Sequence, residues 1–497
     1  MTLDPDGAPA PEGGSSSLAR QASRALGWSV LNAFVSKFGT LAIGIALARL
    51  LGPEAFGTYA VAMVALLAVL SFNELGVSLA IVRWRGDPLR IVPTVTTVSV
   101  STSLVLFVAA YLVTPTYTAA MGDPEATSVV RLMLVGLVVN SLVASPAALM
   151  QRRFRQKQRM LVDQVNVWVG AVLSLLLAVA GLGAMSLAIG RVVGSVLGAL
   201  LFIWFEPAGM RFGFDRALLR PLLRFGLPLA GSSSIVFAAG YADQIVAGSL
   251  LGPTELGFYV LAFNLASWPV TMFSQPLRAV APAAFARLQD DTAALTGSMR
   301  WVVGVLAAAT FPVCFLLAGA AGPVIRLVYG AQWAPAASAL AWLGVFAALR
   351  IVFELVYDYL VVLRRTRGIF GIQVVWLVAL VPALVLGARG WGIAGVAAAQ
   401  VVVAMVVVLP LYLVQLARTG LPAASVLGRL VVPFLGGAAV WLGAVLASRT
   451  VGGDLAAAAS SAVLAGATAA ALVLRDRTVV ARLREMRRQA TDLPVKV

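Results

Sequence analysis

The sequence contains no histidine, one cysteine and few charged residues. Of its 497 residues only 12% are charged and 60% are hydrophobic, whereas soluble chains carry about 25% charged and about 45–50% apolar residues. Without histidine there is no Ser-His nucleophile, histidine proton relay or histidine-ligated metal. The single cysteine, Cys314, excludes an intrachain disulfide and an iron–sulfur cluster. The composition predicts an all-α polytopic membrane protein and argues against a soluble catalytic domain.

Apolar runs long enough to cross a bilayer occur fourteen times. A hydrocarbon core of ~30 Å requires about 20 such residues. The predicted spans are 25–48, 58–82, 92–114, 127–150, 161–181, 184–205, 221–250, 256–283, 301–320, 335–361, 369–387, 391–416, 427–447 and 455–474. The polar lead, 1–23, is expected to be disordered in the cytoplasm, and the basic tail, 475–497, is expected to lie on the inner leaflet.

The distribution of basic residues tests this count. If the N-terminus is inside, successive loops alternate between the two sides of the membrane. The cytoplasmic segments then contain 28 of the 37 Lys and Arg residues and the outer loops contain four, as the positive-inside rule requires. We therefore predict a bacterial cytoplasmic-membrane protein with both termini in the cytoplasm. The net charge of +16 is attributed to topology and to contact with anionic membrane lipids, and no nucleic-acid partner is expected.

Two ten-residue segments of the sequence repeat each other. Residues 50–59 (LLGPEAFGTY) follow the first span, and residues 250–259 (LLGPTELGFY) follow the seventh, with six identical positions. A second, shorter repeat, GLG at 181–183 and GWG at 390–392, lies at the start of the sixth and twelfth spans. Because six is even, both copies would share one orientation in the membrane. We predict two parallel six-helix repeats, an N-lobe over 24–216 and a C-lobe over 217–418, followed by two C-terminal helices over 419–474.

At this point the sequence resembles a known family. Twelve duplicated spans plus two, with the Leu-Gly-Pro-x-x-x-Gly-x-Tyr loop after spans one and seven, are similar to the polysaccharide transporter family of the multidrug/oligosaccharidyl-lipid/polysaccharide (MOP) exporter superfamily. Asp243, Pro269 and the QRRFR segment at 151–155 strengthen the resemblance, which covers residues 24–475.

The resemblance implies a Wzx-type flippase for O-antigen or exopolysaccharide precursors. Such a protein moves a lipid-linked oligosaccharide, an undecaprenyl-pyrophosphate glycan, between leaflets by alternating access. The glycan head of this lipid would pass through a polar cavity between the lobes. The expected partners are that lipid, the surrounding membrane lipids, and a polysaccharide polymerase and glycosyltransferases; the protein is expected to be monomeric, and no catalytic function is implied.

Ionisable side chains within spans are costly and are therefore candidates for function. Lys37 lies near the middle of the first span with Asn32 close by, and we interpret it as the cation that holds pyrophosphate or an acidic sugar. Asp243, next to Gln244 in the seventh span, either pairs with Lys37 or takes up a coupling H⁺ or Na⁺. No cofactor beyond such an ion is expected.

Other cavity candidates lie on the second, eighth and tenth spans. Arg350, Glu354 and Asp358 recur every four residues and so share one helix face. An internal Arg350–Glu354 ion pair is the alternative to substrate contact. The remaining candidates are Asn73, Glu74, Asn264, Gln275, Arg278 and Tyr357.

Several residues near predicted span ends are assigned to the interface instead. Arg131 and Arg191 would extend their side chains to water, and Asp163 would cap the start of the fifth span. Trp333 is among the tryptophans interpreted as interfacial anchors.

Three alternative functions remain open. A drug or cation antiporter of the same superfamily would be expected to have twelve spans and a carboxylate in the first. A lipid II flippase would be expected to concentrate arginines in the first lobe. A membrane polymerase or glycosyltransferase would carry a large loop or a soluble domain, and no nucleotide-binding loop is present.

Overall fold

The structure, a computed structural model, describes residues 14–73, 77–84, 86–153, 155–274, 285 and 291–475. The described part consists of helices and short connections, with no strand. Its outer surface is apolar: Leu112, Val179 and Leu386 each expose 70% or more of their area. Such a surface is incompatible with water and suits lipid, so the all-α polytopic membrane fold is confirmed.

The first half of the chain contains six helices, because apolar runs of good helix formers are interrupted by glycine and proline. Residues 14–23, expected to be disordered, begin the first helix, since the ARQAS segment at 19–23 has no helix breaker. The helices are α1 (Gly14–Asn73), α2 (Val77–Arg83), α3 (Val92–Ala120), α4 (Thr127–Arg152), α5 (Gln156–Val179) and α6 (Ala184–Phe205).

The second half follows the same plan and then adds two helices. A short amphipathic helix, α10, was not anticipated from hydropathy. The helices are α7 (Arg216–Leu251), α8 (Pro253–Ala266), α9 (Thr292–Gly319), α10 (Ala321–Tyr329), α11 (Ala336–Val362), α12 (Thr366–Val403), α13 (Leu409–Ala417), α14 (Ala423–Thr450) and α15 (Asp454–Arg475). A π-helical turn, Ala404–Val408, joins α12 to α13.

Eleven of the described helical stretches are long and apolar enough to cross a membrane. Most of the difference from fourteen spans has a geometric origin. α1 bends at Gly52 and α12 at Trp391–Gly392. α1 therefore contains the first predicted span and most of the second, and α12 contains the eleventh and the first half of the twelfth. α7 occupies the place of the predicted seventh span and is not among the eleven.

The two copies of the repeated segment have the same backbone geometry. Gly52 and Gly252 have φ/ψ of 74°/174° and 87°/176°. Gly183 and Gly392, from the second, shorter repeat, have 54°/−136° and 58°/−140°. Positive φ is accessible to glycine at little cost, which explains why glycine occupies all four positions. The repeated sequence segments thus correspond to matching bends of the backbone.

The two loops also contact each other reciprocally, at what we call the Gly52 end of the bundle. The backbone at Gly257 lies so close that a Cβ there would be 2.5 Å from the carbonyl oxygen of Pro53, and a Cβ at Gly57 would overlap the carbonyl of Pro253. This exchange of contacts is what a two-fold relation between the copies requires.

Side chains fasten the same end of the bundle. Arg49 Nε and Nη2 donate to the carbonyls of Val328 and Leu327, at 2.8 and 2.6 Å, and so cap the C-terminus of α10. Trp333 Nε1 donates to the Ala48 carbonyl at 2.9 Å.

The expectation that Trp333 anchors the membrane interface is wrong. It is fully buried and meets the rings of Phe56 and Phe258 edge-on, at 5.6 and 5.8 Å between centroids. Trp333 packs between residues of both halves and donates to the Ala48 carbonyl, so it belongs to the core between them.

The opposite end, here the Arg152 end, contains the basic loops. Arg152 donates to the carbonyls of Ile81, Trp84 and Gly86. The buried Glu206 accepts from Arg153 at 2.6 Å. These contacts fix the connections between helices of the first half.

The two C-terminal helices pack on α9, against the second half. The ring of Phe315 meets Phe434 edge-on at 5.5 Å, and Gly437 lies beneath Phe315. Of the described spans, α9 and α11 are the most enclosed.

Candidate functional site

Asp243 is the centre of a buried polar cluster. The residue is 1% exposed. Oδ2 accepts from the Tyr259 hydroxyl at 2.7 Å and from Gln400 Nε2 at 2.9 Å, while Oδ1 accepts from the Gln244 backbone N–H at 2.9 Å. Helices α7, α8 and α12 thus place three neutral donors around one acid.

The cluster has one orphaned acceptor. Gln400 Oε1 is buried without a hydrogen-bond partner among the described residues. It belongs to the amide that donates to Asp243, so two acceptor-bearing side chains, Gln400 and Asp243, are adjacent. An arrangement of this kind can bind a proton or a small cation, because buried acceptors are costly when unpaired.

Arg350 and Glu354 on α11 form the ion pair that their spacing predicts. Arg350 Nε lies 3.1 Å from Glu354 Oε1, and Ser274 Oγ donates to Glu354 Oε2 at 2.9 Å. The guanidinium also stands over the Phe263 ring, 5.9 Å from its centroid. The Arg350 side chain remains 37% exposed, so it is paired and still accessible.

The Asp243 cluster lies next to the first half of the chain, because α7 packs against α1. On α7, two residues before Asp243, the Tyr241 ring stacks on Phe237 with 4.9 Å between centroids. In the first half, Arg191 of α6 interacts with the hydroxyl of Tyr59 on α1.

The other described candidates lie on the same second-half helices. Asp358 is buried and Tyr357 is half-buried. Gln244 is buried beside Asp243, and Asn264 is exposed. The structure therefore brings together Asp243 and Gln244, and separately Arg350 and Glu354.

Six predicted site residues are not covered by the description. Glu74, Gln275 and Arg278 lie outside the described residues. The backbones of Asn32, Lys37 and Asn73 belong to α1, but their side chains lie outside the description.

Sequence reasoning missed a polar pocket in the first half. A cavity of about 210 Å³ lies between α1, α4, α5 and α6. Its polar lining consists of Asn140, Asp163, Asn166, Arg191 and Ser195.

One expectation is wrong for this reason. Asp163 does not cap α5, which begins at Gln156, and it lines the cavity instead. Arg191 also lines the cavity and is exposed. The available signal was the spacing of Gly190, Gly194 and Gly198, which predicts close packing of α6 against a neighbour. Arg131, also assigned to the interface, is half-buried over the Tyr111 ring, 4.2 Å from its centroid.

No group of three or more metal-ligating side chains occurs among the described residues. Cys314 is buried in α9. The polar groups present are amides, hydroxyls, carboxylates and guanidinium groups, which suit polar organic ligands and light ions.

Comparison with known proteins agrees with this architecture. A family model described as "Polysaccharide biosynthesis protein" matches residues 46–338, more than half of the chain. The lipopolysaccharide biosynthesis protein WzxC of Escherichia coli (strain K12) is 26% identical over 352 residues, which is 70% of this chain and 72% of that protein. The succinoglycan biosynthesis transport protein ExoT of Rhizobium meliloti (strain 1021) is 26% identical over 321 residues, 64% of each chain.

A solved structure shows a similar fold. The lipid II flippase MurJ, in an inward closed conformation, superposes with a TM-score of 0.73 over 90% of this chain and 99% of its own, at 13% identity. At that identity the likeness concerns the fold alone. The family match extends from the middle of α1 to the start of α11 and so includes both repeated loops. The chain belongs to the polysaccharide biosynthesis protein family and is a multi-pass membrane protein.

Proposed function

We propose that this protein is a flippase that carries a lipid-linked oligosaccharide across the bacterial cytoplasmic membrane for surface polysaccharide synthesis. The substrate would be an undecaprenyl-pyrophosphate glycan. The family match is the observation that carries the proposal, and WzxC and ExoT bear names that refer to lipopolysaccharide and succinoglycan. The partly exposed guanidinium of Arg350 and the hydroxyl and amide groups around Asp243 support a path for an anionic, hydroxyl-rich head.

Transport proceeds by rocking of two lobes, residues 24–216 and 217–418. The reciprocal contacts of Gly57 with Pro253 and of Gly257 with Pro53 close one end of the interface. Separation of these loops would open the same polar groups to the other side of the membrane. Parallel repeats related by an axis along the membrane normal suit this motion.

The Arg152 end faces the cytoplasm, and both termini lie there. The strong excess of basic residues in the loops of that end supports this orientation. The Gly52 end then faces outward, so the structure corresponds to a state closed toward the outside.

Asp243 is the group that couples transport to an ion gradient. Neutral donors surround it, and Gln400 Oε1 beside it is orphaned. A proton or Na⁺ bound there would compensate the buried charge, and its release would accompany a change of state. Lys37 in α1 holds the pyrophosphate or an acidic sugar, because a lone cation within an apolar stretch suits an anionic substrate.

The protein works as a monomer, alongside a polysaccharide polymerase and glycosyltransferases that supply and consume its lipid. Inactivation of the gene in its host tests the proposal. We expect loss of surface polysaccharide and accumulation of a glycosylated undecaprenyl pyrophosphate on the cytoplasmic side. Arrest of peptidoglycan synthesis with accumulated lipid II would identify a lipid II flippase instead, and hypersensitivity to cationic drugs alone would identify an antiporter.

A further inference from the structure

We infer that the pocket between α1, α4, α5 and α6 is a subsite for one sugar ring of the transported lipid's head. This inference rests on the proposed function and adds the place where the glycan is recognised. The cavity measures about 210 Å³, which suits a single pyranose ring.

The pocket exists because α5 and α6 pack backbone to backbone over part of their length. A Cβ at Gly190 would overlap the Ser174 hydroxyl and lie 2.5 Å from the Gly170 carbonyl oxygen. One and two turns further along α6, Gly194 and Gly198 accommodate the side chain of Asn166, whose Oδ1 would lie 3.0 Å from a Cβ at Gly194. The glycines thereby hold the Asn166 amide at a fixed position in the pocket wall.

The polar lining matches the chemistry of a sugar. Asn140, Asn166 and Ser195 offer neutral donors and acceptors, whereas Asp163 offers acceptors and Arg191 offers donors. No hydrogen bond joins the side chains of Asn140, Asn166 or Ser195 to another described residue, so their polar atoms are available to a ligand.

The apolar lining suits the faces of the ring. Leu66 and Leu70 of α1 and Phe202 of α6 also border the cavity. Pockets of mixed lining, with a few placed polar groups in an apolar wall, are typical of small-molecule sites. Arg191 reaches both this cavity and the Tyr59 hydroxyl, so it connects the pocket with α1.

Binding to purified full-length protein in nanodiscs tests the inference. The probes are undecaprenyl pyrophosphate and the same lipid carrying one glucose, galactose or N-acetylglucosamine. We expect the wild type to bind one sugar-bearing lipid more tightly than the bare lipid. Asn140→Ala and Ser195→Ala should each weaken that binding about fivefold, the effect of one hydrogen bond, and leave the bare lipid unchanged.

Ser141→Ala is the matched control, since Ser141 follows Asn140 on α4 and donates only to the Val138 carbonyl of its own helix. Thermal unfolding of each variant confirms that it folds, and Asn140→Gln should recover part of the affinity. Equal weakening toward bare and sugar-bearing lipid would overturn the inference, as would a wild type that does not distinguish the lipids.

The outcome is separable from that of the proposed function. A wild type that binds the sugar-bearing lipid selectively and fails to flip it would refute the flippase and retain the subsite. If the wild type flips the lipid and the Asn140→Ala and Ser195→Ala variants flip it equally well, the subsite is refuted and the flippase is retained.

Discussion

At the scale of single residues, the sequence identifies which charges are unusual but not what surrounds them. Asp243 stands out as a lone carboxylate between Leu227 and Leu251. Its partners Tyr259 and Gln400 lie 16 and 157 residues away, and no local pattern connects them. Arg350 and Glu354 were predictable as a pair because helical geometry places residues four apart side by side.

Substitution of Asp243 tests its assignment as the coupling group. Asp243→Asn preserves the shape of the side chain and removes the negative charge, so we expect flipping to lose its response to an imposed proton or sodium gradient while the protein still folds. Flipping in proteoliposomes with and without each gradient provides the measurement. Ser249→Ala serves as control, because Ser249 lies on the same helix and its hydroxyl donates to the Val246 carbonyl. An unchanged gradient response in Asp243→Asn would exclude coupling through this residue.

Lys37 is expected to contact the anionic part of the substrate. Lys37→Ala should lower the flipping rate by at least about tenfold, since one desolvated charge contact is worth more than ~1.4 kcal/mol. Lys37→Arg should retain part of the activity, because it keeps the charge and changes the geometry. Normal flipping by Lys37→Ala, at equal protein level, would assign Lys37 a structural role.

At the scale of elements, the repeated loops were the most informative sequence feature. The four glycines at positions 52, 252, 183 and 392 predicted matching bends, because each bend requires positive φ. Hydropathy alone missed α10 and the burial of Trp333, since it measures apolar content and not packing partners. The pocket around Asn166 was missed for a similar reason: close packing through Gly190, Gly194 and Gly198 becomes a cavity wall only once α5 is placed.

The reciprocal loop contact predicts a conformational effect of Gly257→Ala. The added Cβ would meet the Pro53 carbonyl, so the Gly52 end should open. Spin labels at Glu54→Cys and Thr254→Cys, two exposed and repeat-equivalent positions, in a Cys314→Ser background would report longer distances. Gly44→Ala is the control, because a Cβ at Gly44 meets no other group within 4 Å. Unchanged distances in Gly257→Ala would show that this contact does not hold the end closed.

At the scale of the whole molecule, basic-residue counting predicted a topology with the Arg152 end inside. Cysteines introduced at Lys157 and Glu125, in a Cys314→Ser background, test it with an impermeant thiol reagent applied to intact cells. Both positions are exposed, and they lie at opposite ends of α4 and its connections. We expect Glu125→Cys to react and Lys157→Cys to stay protected until the membrane is opened. Labelling of Lys157→Cys from outside would reverse the orientation.

The all-α membrane fold was predictable at this scale because hydropathy is encoded over long stretches of the sequence. The Asp243 cluster was not, because it depends on Tyr259 and Gln400 reaching one carboxylate of α7 from α8 and α12. Such convergence follows from how distant helices pack, and that packing leaves no periodic trace in the sequence.

Reconstitution tests the central claim most directly. The purified protein is placed in proteoliposomes that contain a fluorescent undecaprenyl-pyrophosphate oligosaccharide from its host, and the fraction of head groups reachable from outside is followed over time. We predict movement between leaflets that exceeds that in protein-free liposomes and is at least about tenfold slower in Lys37→Ala. Movement no faster than in protein-free liposomes, with lipid II moved efficiently by the same preparation, would contradict the proposed substrate.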